Sequence, residues 1–377
     1  MEKTIHFGLN KKLFVVTVAF GFAMAIPATG IAGDTIKIGV AGAHSGDLAY
    51  YGLPTINTAE LVVAQYNAKG GINGKKVELL IEDDVCKPEV ATNTATKLVT
   101  DGVFAVIGHI CSGATKAAMP IYKSAGVLVM SPSATSDELT DYPNFFRTIA
   151  PNAAQSPAMA DFAMNTLGFT KIAILHDKGD YGKPLAEGAK KRVEESGKAE
   201  VVLFEGITPG GMDYSAIVQK VKRSGAEVVI FGGYHPEASK IVTIMKKKRL
   251  NVKFVSDDGV KDDTFIKVAG AAAEGVYAAG PQDNSSNAIA SAATAEHKKV
   301  YNSDPGAFFD GAYSAAIALL NAIEKAGSTE MDAVVKALHS EKVDTPIGTI
   351  HFDEKGDAVG ARYSMYVVKD GKFAVVQ

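Results

Sequence analysis

Residues 103–135 read VFAVIGHICSGATKAAMPIYKSAGVLVMSPSAT and contain two short apolar runs on either side of a helical segment. The runs VFAVIGH and VLVMSPSA are short and rich in β-branched residues, as strands are. The segment between them, GATKAAMPIYKSAG, ends in the glycine that commonly stops a helix. A strand, a helix and a second strand predict a parallel pair, with small hydroxyl-bearing residues placed directly after each strand.

The same alternation extends along the chain in both directions. It begins with TIKIGVAGA at residue 35, restarts after FFRTIAPNAAQS, and runs on to VKFVSDDG at residue 259. Such alternation predicts parallel sheets covered by helices on both faces. The elements are too numerous for one core, so we expect two doubly wound lobes with a chain crossing near residues 147–151.

Two later segments, GVYAAGPQ at 275–282 and IGTIHFDEKGD at 347–357, are interpreted as further crossings. Several connections between two lobes form a hinge. We therefore predict one lobe from residues 34–150 plus 280–348 and a second lobe from residues 151–279 plus 349–377.

The first residues differ in composition from the rest of the chain. Lys3, Lys11 and Lys12 precede the apolar run LFVVTVAFGFAMAIPATGIAG, which ends in small residues. This is the pattern of a signal peptide, and we expect residues 1–32 to be cleaved near Ala32 and the protein to be exported to the periplasm. A membrane anchor is the alternative, but the small residues at the end of the run favour cleavage.

The charge balance argues against nucleic acid as a partner. Removal of residues 1–32, which hold three lysines and one glutamate, changes the formal net charge from −3 to −5. The longest basic cluster, KKKR at 246–249, is typical of the solvated end of a helix. An exported, mildly acidic protein of this kind is expected to be a monomer in the periplasm.

The chain has two cysteines, Cys86 and Cys111. In an exported protein they most simply form one disulfide, which for a loop of this size stabilises by roughly 3 to 4 kcal/mol. A metal-binding pair or a nucleophilic Cys111 is the alternative. No second pair of ligands accompanies the two cysteines, so the sequence gives little support for a metal site.

Polar and aromatic residues gather where the predicted strands end, which is where open parallel sheets bind ligands. Hydroxyls beside helix N-termini suit a small anion, tyrosines supply apolar walls, and a carboxylate can hold an ammonium group. The residues at these strand ends are Ser45, Tyr51, Ser112, Ser133 to Thr135, Asp177, Tyr181, Tyr234, Asp257 and Asp258.

Each of these residues also has a purely structural interpretation. Ser112 and Thr135 could be helix N-caps, and Tyr181 and Tyr234 could be core aromatics. The acidic pair in SDDG at 256–259 could be a solvated turn.

Six motifs along the chain together resemble those of the leucine/isoleucine/valine-binding proteins, the periplasmic receptors of branched-chain amino acid importers. DPGAFFDGAYSAA and FDEKGD follow in the expected order, so the resemblance extends from about residue 34 to about residue 357. It implies a type I periplasmic binding fold, two lobes closing on a ligand, with no catalytic residues, cofactor or metal. The motifs are KIGVAGAHSGDLAYYG, NAKGGINGKKVELLIEDDVC, GHICSGAT, MSPSATSDELT, HDKGDYG and GGYHPE.

The resemblance also implies roles for individual residues. Ser112 and Thr135 would bind the α-carboxylate, and the carbonyl of Ser133 would accept from the α-ammonium group. Asp258 would be the ammonium clamp, one methylene shorter than the glutamate usual in similar proteins. The same resemblance pairs Cys86 with Cys111 as a disulfide. Ligand-binding residues on this basis are Tyr51, Ile110, Cys111, Ser112, Ser133, Ala134, Thr135, Tyr181, Tyr234, Asp258 and Phe308.

An enzyme is the competing interpretation, because His109, Cys111 and Ser112 are close in sequence and His176 adjoins Asp177. A hydrolase needs a nucleophile bonded to an oriented base, and residues on an extended segment alternate in direction. We therefore predict a receptor that captures branched-chain amino acids and delivers them to a membrane permease with its ATPase. The alternative is a sensor component for another amino acid or amide.

Overall fold

The computed structural model describes residues 35–376, so the predicted signal peptide at 1–32 and its cleavage near Ala32 lie outside the described residues. Within that range, five strands form a first sheet that is parallel throughout, in the order β2-β1-β3-β4-β5. These strands are β1 (Ile36–Gly42), β2 (Val77–Asp83), β3 (Ala105–Ile107), β4 (Leu128–Ser131) and β5 (Phe145–Arg147).

Seven strands of the described chain form a second sheet, in the order β14-β13-β10-β9-β8-β6-β7. Its first five strands along the chain pair in parallel, and their order repeats that of the first sheet. These strands are β6 (Lys171–His176), β7 (Glu200–Gly206), β8 (Val228–Gly232), β9 (Lys253–Ser256), β10 (Tyr277–Pro281), β13 (Tyr363–Lys369) and β14 (Lys372–Val375). A separate hairpin consists of β11 (Val343–Thr345) and β12 (Gly348–Ile350).

The expectation of purely parallel sheets is wrong for the edge of the second sheet. β13 pairs antiparallel with both β10 and β14. The turn between β13 and β14 contains Asp370 and Gly371, both with positive φ (53° and 71°). An Asp-Gly pair of this conformation matches the twist of a tight hairpin, which explains why two antiparallel strands end the chain.

Helices cover both sheets, as the alternation predicts. Among residues 35–376, no helix combines the length and the apolar character that crossing a bilayer requires. The helices are α1 (Ala49–Ala68), α2 (Pro88–Thr100), α3 (Ser112–Ala125), α4 (Asn152–Asp161), α5 (Gly182–Ser196), α6 (Ser215–Ser224), α7 (His235–Lys247), α8 (Asp263–Ala269), α9 (Ala288–Tyr301), α10 (Phe309–Ala326) and α11 (Met331–Ser340).

Central strands such as β3, β4 and β8 are buried on both faces, which is why they read as continuous apolar runs. In β1, Ile38 and Val40 point into one core, where they are packed with Leu319 of α10. Its neighbour Ala41 lies in the opposite core with Leu98 of α2. The second sheet likewise has separate cores on its two faces.

Arg147 ties the chain crossings together near the hinge. Its side chain is fully buried, and Nε donates to Oδ1 of Asp357 at 2.5 Å. The backbone continues this link, because the N–H of Arg147 donates to the carbonyl of Gly356 at 2.9 Å. The predicted crossing at residues 147–151 is thereby bonded to the predicted crossing at residues 347–357.

The lobe boundaries remain a prediction, and we propose them with one change. Ile350, Phe352 and Ala358 pack in a core of the first sheet. The ring of Phe352 meets that of Phe146 edge-on, with centroids 5.4 Å apart. We therefore place the third crossing after residue 358 instead of after residue 348.

Candidate functional site

A small cavity lies where strand ends of both sheets meet. Nine of the eleven residues that the sequence predicts to bind ligand line it, together with Gly259. The two others, Ala134 and Thr135, are fully buried and do not form part of the lining. The lining residues are Tyr51, Ile110, Cys111, Ser112, Ser133, Tyr181, Tyr234, Asp258, Gly259 and Phe308.

One end of the cavity is formed by Ser112, at the start of α3. Ser112 is the first residue of that helix, and its Oγ accepts from the N–H of Ser136 at 3.2 Å. The first N–H groups of a helix have no partner within the helix, so this end has donors to offer an anion. Thr135 is fully buried, and its hydroxyl has no hydrogen-bond partner among residues 35–376.

The N-cap interpretation of Ser112 and Thr135 is wrong. The N-cap of α3 is Cys111, without a capping side chain. Thr135 precedes a short 3₁₀ helix, Asp137–Asp141, whose N-cap is Ser136. Neither hydroxyl is used to close a helix end.

The loop that carries Ser133 to Thr135 is held in place by hydrogen bonds to residues outside the cavity and to its wall. The hydroxyl of Ser133 donates to the carbonyl of Ile110 at 2.8 Å. Nη1 of Arg147 donates to the carbonyls of Ser136 at 2.9 Å and Ala134 at 3.3 Å. A site that must bind without reorganising needs such support from its surroundings.

Aromatic rings form the apolar walls. The ring centroids of Tyr51 and Phe308 are 5.8 Å apart, those of Tyr51 and Tyr234 are 6.1 Å apart, and those of Tyr181 and Tyr234 are 5.1 Å apart. Burial raises the pKa of all three tyrosine hydroxyls well above its ordinary value, so they stay neutral. These tyrosines therefore line the cavity and are not only core aromatics.

Asp258 places a carboxyl group in the cavity wall. Its side chain is almost fully buried and its Oδ1 accepts from the hydroxyl of Tyr181. Oδ2 lies 3.3 Å from the hydroxyl of Tyr363, which also donates to the carbonyl of Ala150 at 2.7 Å. Burial raises the pKa of Asp258 to about 6, although the hydrogen bond from Tyr181 acts in the opposite direction.

The interpretation of Asp257 and Asp258 as a solvated turn is wrong. Asp257 is 0% exposed, and its Oδ2 accepts from the N–H of Gly233 at 2.7 Å. Burial, and next the charge of Asp258, raise the pKa of Asp257 well above its ordinary value. Asp257 thus lies behind the site, where it holds the backbone just before Tyr234.

Two further strand-end residues, Ser45 and Asp177, also lie outside the cavity lining. Ser45 is exposed and donates to Oδ2 of Asp83 at 2.5 Å. Asp177 is buried, and its Oδ1 accepts from the N–H of Gly179 at 2.8 Å in the turn that leads to Tyr181. Burial raises the pKa of Asp177 to about 6.

His109 is not paired with the hydroxyl of Ser112. Nδ1 of His109 lies 2.5 Å from Oδ2 of Asp84, and Nε2 lies 2.9 Å from the hydroxyl of Tyr122. Both ring nitrogens are therefore occupied by residues other than Ser112. Nδ1 of His176 accepts from the N–H of Lys178 at 3.1 Å. The ring of His109 thus contacts two side chains, whereas that of His176 accepts from the backbone.

Cys86 and Cys111 are joined as a disulfide, with their Cα atoms 5.5 Å apart. The predicted pairing is confirmed, and the metal-binding and nucleophilic alternatives are wrong for these residues. Because Cys111 also lines the cavity, the bond ties the wall to the loop after β2.

We expect thiol titration of the denatured, unreduced protein to find essentially no free thiol, because both cysteines are bonded. After reduction the same titration should find two thiols per chain. Two thiols before reduction would contradict the pairing and restore the reactive-cysteine interpretation.

Sequence reasoning missed three residues of the site: Gly259, His235 and Tyr363. Gly259 lines the cavity, and its carbonyl accepts from the hydroxyl of Tyr51 at 2.5 Å. His235 lies beside the same hydroxyl. Gly259 and His235 each follow a predicted site residue directly, which is the only signal they gave. Tyr363 lies in a strand whose pairing the sequence pattern did not predict.

Comparison with known proteins agrees with this geometry. A family model described as periplasmic binding protein matches residues 35–372. The leucine-, isoleucine-, valine-, threonine- and alanine-binding protein of Pseudomonas aeruginosa is 38% identical over 362 residues, covering 94% of each chain. The leucine-specific-binding protein of Salmonella typhimurium is 35% identical over 357 residues, covering 93% of this chain and 95% of the relative.

A solved structure is similar over nearly its whole length. The substrate-binding protein LivJ of a branched-chain amino acid transporter from Streptococcus pneumoniae, in complex with isoleucine, is 30% identical with a TM-score of 0.82. The match covers 91% of this chain and 99% of that one. The predicted type I periplasmic binding fold is confirmed, and this is a family of substrate-binding transport proteins, not of enzymes. The chain belongs to the leucine/isoleucine/valine-binding protein family of periplasmic binding proteins.

Proposed function

We propose that this protein captures a branched-chain amino acid in the cavity between its two sheets and delivers it to the membrane permease of an ABC importer. In this proposal it is exported to the periplasm with cleavage near Ala32, and it binds without catalysing a reaction. The observation that carries the proposal is the convergence of donors, aromatic walls and one carboxylate on a single small cavity.

The hydroxyl end of the cavity suits an α-carboxylate. In the proposal, Ser112 binds it by hydroxyl and backbone N–H, and Thr135 binds it by the same two groups. The buried Thr135 hydroxyl without a partner among the described residues supports this role, because buried polar groups are normally paired. Hydrogen bonds to a carboxylate are roughly twice as strong as neutral ones.

The opposite charge of an amino acid fits Asp258 and the carbonyl of Ser133. An ammonium group between them would find an acceptor on each side. A cation beside a buried carboxyl group lowers its pKa, so ligand binding would favour the ionised form of Asp258. The two ends of the cavity are then complementary to a zwitterion.

The remaining walls are apolar and suit an aliphatic side chain. Ile110, Tyr51, Tyr234 and Phe308 enclose this part, and the sulfur of Cys111 adds a small apolar surface. The two relatives above carry names with different ligand ranges, so membership of the family does not by itself fix which aliphatic amino acid is preferred.

Hinge closure explains how the site both binds and releases. Ser112 and Thr135 belong to loops of the first sheet, whereas Tyr181, Tyr234 and Asp258 follow strands of the second. We propose that ligand docks on the first group and that the second closes over it, which removes water from the charged contacts and strengthens them. The closed form is the form that a permease would recognise.

We expect leucine, isoleucine or valine to raise the melting temperature of the mature protein. At a ligand concentration 100 times the dissociation constant, binding adds about 2.7 kcal/mol to the free energy of unfolding. A thermal-shift panel of the common amino acids measures this directly, with a sugar and a nucleoside as controls. A shift with either control and none with any amino acid would refute the proposal. A shift with another amino acid or an amide alone would favour the sensor alternative.

A further inference from the structure

The hydroxyl of Tyr51 makes two short hydrogen bonds that do not involve the cavity interior. It lies 2.5 Å from the carbonyl oxygen of Gly259 and 2.5 Å from Nδ1 of His235. Tyr51 is 1% exposed and His235 is 3% exposed, so water does not replace these contacts in this form.

The proton positions in this group follow from its chemistry. A carbonyl oxygen can only accept, so the single hydroxyl proton of Tyr51 is donated to Gly259. The hydroxyl oxygen must then accept from His235, which requires a proton on Nδ1. Burial lowers the pKa of His235, so the neutral ring with Nδ1–H is the form that fits.

The two partners of Tyr51 belong to the opposite side of the cleft. Tyr51 lies in α1, which packs on the first sheet, whereas His235 begins α7 and Gly259 follows β9 of the second sheet. Another contact across the cleft joins Lys116 and Asp180 at 2.9 Å, but their side chains are 40% and 42% exposed. Exposed ion pairs contribute little to stability, because solvent screens them and the side chains lose freedom on pairing.

We propose that Tyr51, His235 and the carbonyl of Gly259 form a latch that stabilises the closed cleft whatever side chain the ligand carries. His235 is its positioning residue, because it does not line the cavity and acts only through Tyr51. The inference rests on the proposed function, because it assumes that the cleft closes over a bound ligand. The latch contacts themselves are made by protein atoms alone and include no ligand atom.

A residue that stabilises the closed form and a residue that shapes the cavity wall have different effects on binding. If His235 only shaped the cavity, changing it would alter the preference among leucine, isoleucine and valine. A latch shifts the equilibrium between open and closed forms, so its loss lowers the affinity for every ligand by the same factor. The loss should appear mainly as faster dissociation, since the closed complex opens more readily without these hydrogen bonds.

Two variants of His235 separate these roles. His235→Phe keeps a ring but removes the donor, and we expect it to weaken the binding of leucine, isoleucine and valine by a common factor of roughly 3 to 10. His235→Asn restores an N–H near the position of Nδ1 and should recover most of the affinity. Calorimetric titration gives the three affinities, and release of labelled leucine into excess unlabelled leucine gives the dissociation rate. Asp180→Asn is the matched control, an exposed contact across the same cleft, and should change the affinities less than threefold.

Small-angle scattering of the ligand-free variants provides a second measurement that does not depend on the ligand. His235→Phe with unchanged affinities and unchanged scattering overturns the latch, and so does a loss confined to one amino acid. If the unaltered protein binds none of the three, the proposed function fails. In that case a more open scattering profile of His235→Phe still supports the latch, and an identical profile refutes it.

Discussion

Replacing Thr135 with valine is expected to lower the affinity for leucine at least tenfold. Valine keeps the volume and branching of threonine, so the buried loop should keep its shape. The change removes a hydroxyl that, in the proposed site, donates to the ligand carboxylate, and a hydrogen bond to a charged group is worth roughly 1.5 to 3 kcal/mol. Calorimetric titration with leucine measures the loss.

Thr55 offers a matched control for this substitution. It is also fully buried, its hydroxyl also has no partner among residues 35–376, and it lies in α1 outside the cavity lining. Thr55→Val should leave the affinity within about twofold, because removing an unpaired buried hydroxyl is close to neutral. Equal losses in both variants would mean that the Thr135 effect is structural and that the carboxylate is bound elsewhere.

The parallel strands and the position of the cavity could be predicted because both follow from local patterns. A strand such as β1 is buried on both faces, so its apolar run is visible without knowledge of its neighbours. Ligands bind beyond the carboxyl ends of such strands. This placed Ser112, Tyr181 and Asp258 at one site although 146 positions separate the first from the last.

The failures have a common physical cause, which is dependence on distant contacts. Asp257 looks like a turn residue in SDDG, and only the packing of β8 against β9 buries it beneath Gly233. Thr135 is a residue type that often caps helices. The next helical turn begins at Asp137, however, so its N-cap is Ser136 and not Thr135. The role of His235 could not be predicted from its position after Tyr234, because it depends on a tyrosine 184 positions earlier in the chain.

Asp257 and Asp258 have identical side chains, but their surroundings give the two carboxyl groups different roles. Both are buried, and burial together with the charge of Asp258 raises the pKa of Asp257, whereas the N–H of Gly233 that donates to Asp257 acts in the opposite direction. Asp258 lines the cavity and accepts from Tyr181, which makes its ionised form accessible. Two like charges this close are not both ionised at low cost, so the site has one negative charge to offer a cation.

Asp258→Asn is therefore expected to lower the affinity for leucine by roughly 10- to 100-fold. Asparagine keeps the shape and can still accept from Tyr181, but it loses the charge-assisted bond to the ammonium group, worth roughly 1.5 to 3 kcal/mol. Calorimetric titration is the suitable measurement, because the chain has no tryptophan to report binding by fluorescence. Asp263→Asn, an exposed residue in the first turn of α8, is the control and should change the binding free energy by less than about 0.5 kcal/mol.

The pH dependence of leucine binding tests whether the negative charge of Asp258 is the cause of the affinity lost in Asp258→Asn. Without ligand the pKa of Asp258 is raised to about 6 by burial, and an ammonium ligand lowers it again. Protons therefore compete with the ligand below about pH 6, so the affinity of the unaltered protein should fall as the pH decreases through 6 and stay level above it. In Asp258→Asn this fall should be absent. If the variant binds as tightly as the unaltered protein, or keeps the same fall at low pH, the amino group is held by another residue.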